Sequence, residues 1–177
     1  MFAALGIRRR HLIFIKKYIY LVLFFPFLVS GQEWTASNDN FRASLFLSDK
    51  PEEIYSAWNY GEANGVKIEA LDSIKAGNPF EAIIVFSGCQ PNKKNKCKVV
   101  ANWEIETFSG VSLGKVDEVP LWLNEKAPAQ GQLQIAEKGV GLVADAQDNG
   151  YVIRVTVKDL ISKLSIKLTQ RVKVSDT

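Results

Sequence analysis

From Phe41 onward, apolar and polar residues alternate in short runs, the period-two pattern of strands that bury one face. Phe41, Ala43, Leu45 and Leu47 fall on one side of the first run, with Arg42 and Ser44 opposite. A helix start follows, with Pro51 in the first turn and Glu52 and Glu53 at the positive end of the helix dipole, and it predicts about two turns ending near Trp58. Val66, Ile68 and Ala70 alternate again and predict a strand. After the turn Ala76-Gly77-Asn78-Pro79, the nearly continuous apolar run from Phe80 to Phe86 predicts a central strand covered on both faces.

Val99, Ala101, Trp103 and Ile105 then share a core face, and Asn102, Glu104 and Glu106 a wet one. Phe108 to Pro120 reads as irregular, Leu121 to Leu123 as a short strand, and Leu133 with Ile135 as the start of another before Gly139 to Ala144. Asp148-Asn149-Gly150 tolerates positive φ and predicts a hairpin, because Tyr151, Ile153, Val155 and Val157 alternate immediately after it. Leu164, Ile166 and Leu168, continued by Val172 and Val174, form the last strand. The whole predicts an all-β sandwich of about seven to nine antiparallel strands with one short helix.

The N-terminus changes the picture of charge. Arg8, Arg9, Arg10, Lys16 and Lys17 precede the apolar run Tyr18 to Val29, and Val29-Ser30-Gly31 supplies small residues, the order of a signal peptide. That run is shorter than the roughly 20 apolar residues a membrane-spanning helix needs, and Pro26 interrupts it. Residues 1–31 are therefore expected to be a signal peptide and 32–177 a single domain, periplasmic or secreted, without a permanent membrane anchor. Of the 22 basic residues five lie in residues 1–31, leaving 17 against 19 acidic ones, so the formal charge of +3 becomes −2 and nucleic acid is not an expected partner.

The run Gly-Tyr-Val-Ile-Arg-Val-Thr-Val-Lys-Asp at 150 to 159, followed by a last strand, resembles the end of bacterial immunoglobulin-like or fibronectin-like domains. Ile74 to Gly77, Phe80 to Cys89 and Cys97 to Trp103 resemble a group of exported domains without an assigned activity. The resemblance implies an immunoglobulin-like β-sandwich. The sequence departs from that pattern in lacking the usual cysteine pair that links the two sheets across a core tryptophan.

Cys89 and Cys97, eight positions apart in a chain bound for an oxidising compartment, predict a disulfide closing the Gln90 to Lys96 loop. The single histidine, His11, lies in the expected signal, which excludes a mature Ser-His-Asp device and leaves two thiols short of the roughly four ligands of a zinc site. Neither a Gly-x-Ser-x-Gly elbow nor a phosphate-cradling glycine loop occurs, so the expectation is no enzyme, no cofactor and no metal. Lys93, Lys94 and Lys96 form a candidate cationic site on the loop tip, suited to phosphate-rich envelope lipid or an acidic partner. Glu104 and Glu106 sit two apart, as paired carboxylates do, but read as a solvated sheet face. Asp145, Asp148 and Asn149 offer oxygens for calcium, although a turn already explains them. Trp58, Tyr60 and Trp122 lie outside the best strand patterns and are the candidate aromatic binding residues, or else cap the ends of the sandwich, whereas Trp103 belongs to the core.

Two functions follow. The first is an exported, non-enzymatic interaction or structural module of the bacterial envelope, binding an unknown protein or envelope partner by an edge strand or its loop ends. The second is a carbohydrate or envelope-polymer binding module built on Trp58, Tyr60 and Trp122.

Overall fold

Phe41, Ala43, Leu45 and Leu47 are buried on one face of β2 (Phe41–Ser48), as their alternation requires. The computed structural model describes residues 33–60, 66–69, 71–137 and 139–176; the expected signal peptide lies outside them. In chain order the elements are β1 (Thr35–Asn38), β2, α1 (Pro51–Tyr60), β3 (Ser73–Lys75), β4 (Pro79–Ser87), β5 (Lys96–Thr107), β6 (Ser112–Lys126), β7 (Gln134–Ile135), β8 (Val140–Val143), β9 (Gly150–Asp159) and β10 (Ser165–Ser175).

The strands form two sheets. One has the order β1-β2-β4-β7, with β8 also on β4; the other has the order β3-β10-β9-β5-β6. Between them Phe80, Ile84 and Phe86 of β4 meet Trp103 of β5, Tyr151 and Ile153 of β9 and Leu168 of β10, all 0 to 2% exposed. Burial of so many large side chains is the main force holding the sheets together. Both apolar clusters are built from residues between Ala36 and Val174, so the described part of the chain carries its own core.

The Phe80 to Phe86 run is covered on both faces. Ile83 and Val85 turn away from the sandwich and are buried beneath Ile54, Tyr55 and Trp58 of α1, with Ile135 of β7 beside them. Residues 54, 55 and 58 share one helix face, which is why the helix lies flat on the sheet. Ser48 accepts a hydrogen bond from the Lys50 amide at 3.0 Å and turns the chain into the helix.

Several expectations are corrected. Ten strands are present among the described residues, and β3 pairs with β10 in parallel rather than antiparallel. Val66 to Glu69 is not a strand; Val66 and Ile68 pack beside α1 on the outer face. Asp148-Asn149-Gly150 does not close a hairpin, because β8 pairs with β4 in one sheet and β9 with β5 and β10 in the other. The turn crosses between sheets, anchored where the Asp145 amide donates to the Tyr151 hydroxyl and the Val174 amide to Asn149 O. Phe108 to Pro120 is mostly strand: β6 runs for 15 residues along β5, with four register shifts and positive φ at Glu118 and Asn124. Those irregularities and its exposure erase the alternation.

Cys89 and Cys97 are bonded. Cys89 follows β4 in one sheet and Cys97 lies on β5 in the other, so the bond fastens the crossover between sheets. It is compatible with an oxidising, exported environment.

Candidate functional site

The edges of the two sheets differ in how they are guarded. β6 carries Lys115, Asp117, Glu118 and Pro120 along a bulged path, the features that deter pairing with another chain. β3 is only three residues long, and the segment before β1 is tied to the opposite sheet by the Thr169 amide on Glu33 O at 3.0 Å. Among the described residues the β8 edge has no such device: Gly139 to Ala144 is free of proline and charge, and Val143 is 65% exposed. Ala144 donates to Asn78 O and Pro79 faces Val143, so the alternation of an antiparallel ladder turns the backbone of Gly141 and Val143 outward.

β7 and β8 are two interrupted pieces of one path along β4, and Glu137 and Gly139 belong to neither. Glu81 of β4 fills the interruption. Its Oε1 accepts the Tyr55 hydroxyl at 2.7 Å and the Gly139 amide at 2.8 Å, joining helix, sheet and bulge at one atom. Burial, then the hydrogen bond to Glu81, pushes the Tyr55 phenol well above its ordinary pKa.

Beside this junction runs an open groove of about 800 Å³. Trp58 and Tyr55 line it from the helix, Trp122 from β6, and Gln134 and Ile135 from β7; Glu52, Glu81 and Glu137 supply carboxylates. Trp122 is held edge-on to Phe86, ring centroids 6.1 Å apart, and its indole N–H donates to Lys126 O at 3.2 Å. Among the described residues no lysine or arginine lines the groove. Such a surface has aromatic faces for stacking, acceptors for hydroxyl or ammonium donors, and negative charge.

The expected site residues separate. Trp58 and Trp122, 64 positions apart in sequence, meet at this groove. Tyr60 is 86% exposed at the helix end and does not line it. Lys93, Lys94 and Lys96 stand exposed on the disulfide loop. Trp103 is core, and Trp34 packs on Phe46 at 5.7 Å. Tyr55, Glu81, Gln134 and Glu137 were not among the expected residues; Tyr55, three positions before Trp58, shares its helix face and was findable by spacing. Glu106 pairs with Arg154 at 2.7 Å, and this hydrogen bond holds its carboxyl below the usual range, the opposite of a general acid. Asp145 Oδ1 accepts the Gln147 amide within its turn. Among the described residues no helix is long and apolar enough to cross a membrane.

No family model matches the chain, and no curated protein does. Among solved structures, superoxide reductase (neelaredoxin) from Ignicoccus hospitalis is similar over 62% of this chain and 79% of that one, at 15% identity and a TM-score of 0.37. A variant of the same reductase is similar over 62% and 78%, with the same identity and score. The expectation that the chain is not an enzyme is corrected by this finding, since these neighbours are enzymes, and it is not carried forward. At this degree of likeness their fold and reaction do not transfer.

Proposed function

We propose that the chain is an exported partner-binding module, periplasmic or secreted, on an immunoglobulin-like two-sheet scaffold, which takes an extended segment of another protein along the β7–β8 edge. The observation that carries this reading is the position of the unguarded edge at the lip of the groove shared by Trp58 and Trp122. A segment added to that edge gains main-chain hydrogen bonds from Gly141 and Val143, while the groove beside it selects side chains. Two sheets packed over one shared core support the scaffold assignment.

A photo-crosslinking residue at Val143 or Glu137, compared with one at Lys173 on the outer face of the other sheet, tests the proposal in envelope extracts. One protein species crosslinked from the first two positions and not the third is the expected result; equal labelling from all three, or none, overturns it. A second reading, binding of a carbohydrate or envelope polymer, is favoured by the two tryptophans and the carboxylate and amide acceptors in one groove. Quenching or shift of tryptophan emission by a glycan, lost in Trp58→Ala and Trp122→Ala, is its signature.

A further inference from the structure

The disulfide loop does not stand alone. The Gln90 amide donates to Asp159 Oδ2 at 2.7 Å, and the Leu160 amide donates to Lys98 O at 2.9 Å, so the loop lies against the β9–β10 turn. Lys93, Lys94 and Lys96 on the loop are thereby joined by Lys163 from the turn and by Lys98 and Lys158 from the adjoining strand ends. Lys126 faces Lys96 across the β5–β6 ladder. None of these lysines forms a salt bridge among the described residues. The described acids of this end are few: Asp159 is 1% exposed and occupied by hydrogen bonds, leaving Glu125 opposite Cys97 and Asp39 in the β1–β2 turn.

Amid these cations Leu160 is 44% exposed, with Ile161 half-buried beside it. An exposed apolar residue in a turn beside lysines that form no salt bridge among the described residues matches a bilayer surface, where phosphates meet acyl chains.

We propose that this end of the domain docks on an anionic phospholipid bilayer, with the lysines on headgroup phosphates and Leu160 at the acyl boundary. Each lysine near such a surface contributes about 1 kcal/mol, so the loop lysines alone account for roughly a hundredfold in affinity. None of these lysines lines the groove at Trp58, although Lys126 O accepts the indole N–H of Trp122 at its wall.

Because the described chain carries its own core, residues 33–177 serve for the test. Co-sedimentation is measured with phosphatidylglycerol–phosphatidylcholine vesicles, with phosphatidylcholine vesicles and with soluble polyphosphate as competitor. The expected result is binding to the anionic vesicles only, lost about a hundredfold or more on Lys93→Glu/Lys94→Glu/Lys96→Glu and reduced several-fold by Leu160→Ser, which leaves every charge in place. A control of equal charge change far from the loop, Lys75→Glu/Lys115→Glu/Lys173→Glu, retains most of the binding. Equal loss in the control, equal binding to phosphatidylcholine, unchanged binding by Leu160→Ser, or binding to polyphosphate without vesicle binding overturns the proposal. Circular dichroism of each variant shows that the fold is kept.

Discussion

Tyr55 and Gly139 hydrogen-bond to the same carboxylate oxygen of Glu81, the phenol at 2.7 Å and the amide at 2.8 Å. A helix, a central strand and a strand interruption thus share one acceptor, and the wall of the groove depends on it.

Tyr55→Phe removes the charged hydrogen bond while preserving the ring. A loss of about 2 kcal/mol in denaturant unfolding is expected. The folded phenol titrates above its ordinary value, so its contribution is fully present below about pH 10 and is lost as pH rises toward the folded value. Tyrosinate absorbance shows the effect as one fewer late-titrating phenol in the variant; Tyr151, also raised by burial, remains.

Gly139→Ala places a methyl group against Ala82 O and the Glu81 side chain. Because backbone is among the atoms struck, the interruption must shift, and a loss of about 2 to 4 kcal/mol is expected. Amide exchange should rise first at Leu142 and Ala144, whose amides face β4.

Asp159 is buried and accepts the Gln90 and Ile161 amides and the Ser162 hydroxyl. Asp159→Ala leaves those donors without it and is expected to cost about 3 to 4 kcal/mol. A variant as stable as the parent rules out this role for the carboxylate.

Reduction of the Cys89–Cys97 bond opens a small loop and is expected to lower stability by about 2.5 kcal/mol on chain-entropy grounds. Guanidinium unfolding with and without reductant measures it.

At low pH the Glu106–Arg154 pair weakens. The hydrogen bond from Arg154 depresses the folded pKa of Glu106, so its contribution is present above the ordinary carboxylate value and lost as pH falls through the folded one. Glu106→Gln should flatten that part of the acid unfolding curve, the variant lying slightly below the parent at neutral pH and meeting it at low pH.

Where burial is one-sided, the sequence revealed the fold. β2, β5 and β9 alternate because each presents one face to the core, and the apolar run of β4 reflects a helix on its far side. β6 escaped because an exposed, bulged edge has no period to display. The 148–150 turn misled because glycine and asparagine permit a tight reversal without deciding whether the next strand stays in the same sheet. At the site, Trp58 and Trp122 were recognisable as aromatics outside the strand pattern, but their meeting depends on long-range pairing. Glu81 looked like an ordinary strand residue because its role exists only once the helix and the interruption converge on it.

β9 carries the chain through ten residues from the Asp145–Asp148 turn to the lysine-rich end, roughly 30 Å at strand rise. Ions in physiological solution screen charge over about 8 Å, several times less than that span. A negatively charged surface touching one tip therefore does not sense the acids at the other, and the net charge of −2 over residues 32–177 imposes little penalty on an approach made lysine-end first. Its ends behave electrically as separate bodies.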